Sequence, residues 1–117
     1  MPGPDHPIDL EKAGRRVVVR AGGAVVATSA GAIALKEANY PAVIYIPRSD
    51  VAIELLERSQ TRTHCPYKGN ASYYRMRGGA KDIAWSYEDP FESMDAIRSH
   101  LAFYPDRVDA IEMTPPT

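Results

Sequence analysis

The chain has 117 residues, 44% hydrophobic and 25% charged, with a net charge of −1, which is the size and balance of one globular domain with its own core. A single cysteine, Cys65, excludes an intrachain disulfide and any multi-cysteine zinc site. Apolar runs such as residues 42–47 fall far short of the ~20 residues of a membrane helix, and residues 1–12 lack the basic start and apolar stretch of a signal peptide, so cytoplasm is the expected compartment.

Residues 1–14 carry no hydrophobic period and read as a loosely held arm on a single domain spanning 1–117. Residues 16–20 (RVVVR) and 24–29 (AVVATS) flank Gly22-Gly23 and predict a hairpin. Residues 32–37 (AIALKE) are too short for a stable helix and are predicted as strand. Residues 42–46 (AVIYI) form a further strand stopped by Pro47. Asp50 is placed as the N-cap of a two-turn helix over 51–58, where Val51, Ala52, Leu55 and Leu56 recur at helical spacing. Strands are predicted at 61–65, 71–77 and 82–87, with Ile83, Trp85 and Tyr87 on one side of the last. Pro90 opens a second short helix through Phe91, Met94, Ile97 and Leu101. Strands at 102–104 and 108–113 close the chain. Strands in runs, not alternating with helices, predict a mainly β, antiparallel, tent-like or barrel-like domain of about eight strands with two short helices.

Charge is unevenly spread. Residues 58–81 hold Arg58, Arg62, Lys68, Arg75, Arg77 and Lys81 and no carboxylate. The plainest account is a basic strand pair that meets acidic strands in the fold; an anion-facing surface is the rival.

His64-Cys65-Pro66-Tyr67-Lys68-Gly69 is the densest cluster of reactive residue types. A thiolate near cations is a nucleophile, whereas a free cysteine at a strand end is more commonly a small buried hydrophobe. His64 and Cys65 point to opposite faces of a regular strand. Lys68, held in a turn between Pro66 and Gly69, is placed to bind an anion, and its replacement is expected to cost folding little. Tyr45, Tyr67 and Tyr87 flank turns or strand ends and are pocket candidates; Trp85 and Tyr74 read rather as core. Glu37 has no evident structural task and is the carboxylate to watch as a general base. His6, His64, His100 and Cys65 lack metal-ligand spacing, so no metal is expected, and no pattern calls for a cofactor.

Six ordered blocks add a resemblance: Gly23-x-Val25-x-Ala27-x-Ser29, Leu35-x-Glu37, Tyr45-Ile46-Pro47-x-x-Asp50-Val51, Cys65-Pro66-Tyr67-Lys68-Gly69, Trp85-Ser86-Tyr87-x-x-Pro90, and Ala102-Phe103-Tyr104-x-x-Arg107-Val108. Together, from about residue 7 to 113, they resemble a bacterial and fungal family catalogued as family 427 of the domains of unknown function. The resemblance implies a small antiparallel β domain whose sheets lean together like a tent, with Glu37, Tyr45, Asp50, Cys65, Tyr67, Lys68, Trp85 and Tyr87 as signature positions. That family has also carried a nucleotidyltransferase-like label; such chemistry normally uses closely placed carboxylates to hold metal ions, and the sequence offers no such pair.

The reading that follows is a domain binding an unidentified small molecule or anion, with Glu37, Cys65 and Lys68 as tentative catalytic residues and Tyr45, Tyr67, Trp85 and Tyr87 around the ligand. The alternative is a protein- or nucleic-acid-interaction module on residues 58–81, where Arg and Tyr interleave; the near-zero net charge argues against nucleic acid. Neither a membrane nor a fixed oligomeric state is implied, and a homodimer is left open.

Overall fold

The computed structural model describes residues 8–115. Ten strands run through them: β1 (Ile8–Lys12), β2 (Arg16–Ala21), β3 (Ala24–Ser29), β4 (Ile33–Glu37), β5 (Val43–Tyr45), β6 (Leu56–Cys65), β7 (Gly69–Met76), β8 (Asp82–Pro90), β9 (Leu101–Phe103) and β10 (Ala110–Thr114). They form three antiparallel sheets, ordered β1-β4-β5, β10-β2-β3 and β6-β7-β8-β9. The first and third are joined at one residue pair: Ile46 and Leu101 exchange both backbone hydrogen bonds at 2.8 Å. The result is a sandwich-like mainly β domain with no closed barrel. Among the described residues, no helix is long and apolar enough to cross a membrane.

The β2–β3 hairpin turns on Gly22 and Gly23, both left-handed (φ +60° and +79°); a two-residue turn of this kind matches the right-handed twist of its strands, and only glycine adopts it freely at both positions. The predicted arm is a strand in part. Ile8–Lys12 pairs with β4 from Ile8 opposite Glu37 to Lys12 opposite Ile33, while residues 1–7, His6 among them, lie outside the described residues.

Neither predicted α-helix forms. Arg48–Asp50 and Ile53–Leu55 are single 3₁₀ turns, and Leu56 already begins β6. A two-turn helix is marginal by itself, and Leu56, Glu57 and Arg58 instead pair with Met76, Arg75 and Tyr74 in a long hairpin. Asp50 caps nothing: it lies within the first 3₁₀ turn, and its carboxylate accepts a 2.6 Å hydrogen bond from Ser29. The second predicted helix is a 3₁₀ segment, Glu92–Ile97, broken at Met94. Its periodicity is right in one respect, because Met94 and Ile97 are its buried residues.

Two hydrophobic clusters hold the layers together. One lies against the β10-β2-β3 sheet and contains Val17, Val19, Val26, Val51, Leu56, Tyr74, Ile83, Leu101 and Phe103. The other contains Leu35, Tyr45, Ala71, Tyr87, Met94, Ile97 and Ala102, with Cys65, Tyr73 and Trp85 partly buried against it. The predicted single face of Ile83, Trp85 and Tyr87 is therefore split between them. The β7–β8 register shifts between Tyr74 (opposite Ala84) and Arg75 (opposite Asp82), passing over Ile83; the extra residue breaks the two-residue alternation.

Ser86 is fully buried opposite Ser72 and Leu101, and its hydroxyl has no hydrogen-bond partner among the described residues. A buried unpaired hydroxyl costs about 1–3 kcal/mol. Ser86→Ala is expected to stabilise the domain by about 1 kcal/mol, read as a raised denaturation midpoint with unchanged denaturant slope.

Candidate functional site

The site assembles around the turn after β6. Lys68 donates its backbone N–H to the Cys65 carbonyl at 3.3 Å, closing a turn with Pro66 and Tyr67 inside it, and its own carbonyl accepts from Phe91 at 3.0 Å. Gly69 follows at φ +115°, where a Cβ would lie 3.3 Å from the Pro90 backbone. The chain is thus clamped on both sides of Lys68, and its side chain turns inward. Lys68 is only 8% exposed. Its Nζ donates to Glu37 Oε1 at 2.5 Å and stands 5.8 Å from the centre of the Tyr87 ring. Glu37 reaches it from the last position of β4, where the chain turns through a 2.9 Å bond from Tyr40 N–H to the Glu37 carbonyl. The turn lysine, expected to cost folding little when replaced, is one half of a buried ion pair.

Tyr45 and Tyr87 form the floor beside this pair. Tyr45 is 1% exposed, and its hydroxyl accepts a 3.1 Å hydrogen bond from Trp85 Nε1. The Tyr45 ring lies edge-on to Trp85 at 6.3 Å and tilted to Tyr87 at 6.4 Å. Burial pushes both phenols well above the ordinary tyrosine range; the negative charges that Glu37 and Cys65 can carry push them the same way. Cys65 is half-buried against the same cluster, and His64, on the opposite face, is exposed and bonded to Asn70 at 2.8 Å. Tyr67 is half-buried within the turn itself.

Of the seven residues singled out from sequence, Glu37, Tyr45, Lys68, Trp85 and Tyr87 are joined by direct contacts, and Cys65 lies within their electrostatic reach. The ranking of the aromatics holds for Tyr74, which is in the core, and for half-buried Tyr67, but inverts for the others: Tyr45 and Tyr87 are core-deep, whereas Trp85, expected in the core, is half-buried. Trp85 also borders an apolar cavity of about 220 Å³ that Lys68 and Cys65 do not line.

A second polar cluster escaped the sequence. Glu88 accepts from the Tyr74 hydroxyl at 2.6 Å and pairs with Arg58 and, at 3.6 Å, with Arg48. Arg48 also donates to Tyr74 at 3.1 Å, and Arg58 to Ser72 at 2.9 Å. With Arg75 paired to Glu57 at 2.7 Å, and Arg62 and Arg77 donating to backbone carbonyls, much of the basic stretch meets acceptors within the fold. Among the described residues, no group of three His, Cys, Asp or Glu side chains is arranged to hold a metal ion.

No curated protein matches the chain. One family model matches the chain over residues 9–114, nearly its whole described length: it belongs to the family described as a domain of unknown function, DUF427.

Proposed function

We propose that this chain is a small-molecule-binding domain in which Lys68 holds an acidic group of the ligand while Tyr45, Tyr87 and Trp85 take its flat apolar part. The observation that carries the reading is the state of the Lys68 ammonium. It has three donors, it is 8% exposed, and among the described residues Glu37 is its one hydrogen-bond partner. Two buried donors beside aromatic rings suit a carboxylate or phosphate that shares the lysine with Glu37. Glu37 is then the base, and Cys65 the nucleophile, available to a bound ligand. The pairing of Arg58, Lys68 and Arg75 with carboxylates weakens the positive field on which a nucleic-acid surface would depend.

Benzoate and inorganic phosphate are suitable probes. In titrations followed by Trp85 emission and run below the melting transition, benzoate should bind saturably. Lys68→Met should abolish that binding, and Lys68→Arg should weaken it, because the planar fork does not replace a compact ammonium in a closed turn. Arg75→Gln and Arg77→Gln should leave it unchanged. Equal losses in all four variants, with an affinity that falls steeply as salt rises, would point to a diffuse basic face and sink the pocket.

A further inference from the structure

The junction between β5 and β9 closes for one residue pair and then opens. Extending the Ile46–Leu101 register would place Ile44 opposite Phe103 and Ala42 opposite Pro105, and neither pair forms. In an antiparallel ladder, the N–H and C=O of a residue point to the same neighbour, and this direction alternates along the strand. Ile46 and Leu101 point at each other, so Ile44 and Phe103 aim their backbone groups into the gap. The flanking bonds agree: Tyr104 N–H goes the other way, to the Ile83 carbonyl at 2.9 Å. The gap is the apolar cavity of about 220 Å³, walled by Val17, Val19 and Ile111 from the covering sheet and by Trp85 and Phe103 from the other.

Size and polarity restrict the occupant. An apolar cavity of ~150 Å³ accepts a benzene ring, so this one has room for a six-membered ring with a small substituent. One rung of backbone donors and acceptors is open. Ile46–Leu101 closes the rung on one side, and on the other Pro105 has no N–H to give. A peptide strand would need several rungs; a ring with one donor–acceptor edge needs one.

We propose that the β5–β9 split is a second binding site, sharing Trp85 with the Lys68 cluster but none of its charged groups, for a flat monocyclic molecule of the cyclic-amide class, whose N–H and C=O pair with the backbone of Ile44 or Phe103 while its ring packs between Val19 and Trp85. The probe is 2-pyridone, titrated into ¹⁵N-labelled protein, with 1-methyl-2-pyridone as the donor-free control and the blocked peptide acetyl-Val-Thr-Val-amide as a strand. 2-Pyridone should saturate, with the amides of Ile44 and Phe103 moving furthest. The methylated control should bind about tenfold more weakly, as a lost buried donor predicts. Ala42→Phe, at an exposed position on the rim, should keep the dispersed spectrum of the folded chain and weaken 2-pyridone by a similar factor. Three results would each overturn the proposal: no saturable shift at Ile44 and Phe103, equal affinity for the two pyridones (an apolar void only), or tighter binding of the peptide than of the ring. The reporters of the first site are the Cys65, Lys68 and Tyr87 amides under benzoate, so each site fails or stands by its own signals.

Discussion

Lys68→Met is expected to destabilise the domain by about 3 kcal/mol, because removing one partner of a buried ion pair leaves the other uncompensated. The side chains of Lys68 and Glu37 are 10% and 18% exposed, so little water reaches the abandoned carboxylate. For a chain of this length the loss should lower Tm by roughly 10 °C. Glu37→Gln keeps an acceptor for the ammonium and should cost less. The double variant Lys68→Met/Glu37→Met replaces the pair with apolar side chains of similar length, and such replacements are commonly neutral or stabilising. It should therefore be more stable than Lys68→Met alone, with a coupling energy of about 1–3 kcal/mol across the cycle. Additive losses in chemical denaturation would mean that the pair does not act as a pair. The sequence alone gives the opposite expectation, since a lysine in a Pro- and Gly-flanked turn reads as cheap to replace; the buried pairing with Glu37 is the reason to expect otherwise.

At alkaline pH the domain should lose stability steeply. Burial holds Tyr45 and Tyr87 protonated in the folded state, above the ordinary tyrosine value of about 10. A group whose folded pKa is raised contributes its stability fully below the unfolded pKa. As pH rises past 10 the unfolded chain gives up these two protons and the folded chain keeps them, so unfolding becomes progressively easier. Two retained protons correspond to a loss of roughly 2.7 kcal/mol per pH unit, enough to exhaust the stability of a typical domain within a few units. Half-buried Tyr104, raised in the same direction mainly by burial, adds to the effect. In a spectrophotometric titration, part of the phenolate absorbance should rise only together with the loss of circular dichroism. Phenolate formation by all the tyrosines ahead of unfolding would contradict the burial account. Tyr87→Phe should shift the alkaline midpoint upward by removing one of the linked protons.

Much of this molecule was legible in its sequence. Period-two runs separated by Gly and Pro determined the strands and their antiparallel pairing, and Gly22-Gly23 determined a hairpin, because those signals act over neighbouring residues. The residue types that could form a site were legible too: Glu37, Tyr45, Cys65, Lys68, Trp85 and Tyr87 do gather. Tertiary structure decided the rest. Residues 51–58 carry helical spacing, yet Leu56–Arg58 gain a ladder partner in β7 that lies beyond any local window. The residues 8–12 segment looked formless because its order comes from pairing with β4. Four register shifts, one each in β2–β3 and β6–β7 and two in β7–β8, decided which face each side chain takes, and a one-residue slip reverses a face. For the same reason no local signal could pair Lys68 with Glu37, thirty-one positions away in the chain, or bring Glu88 between Arg48 and Arg58. Nor could it show that β5 and β9 part after a single rung, since an unmade hydrogen bond between distant strands leaves no mark in the residues that fail to make it.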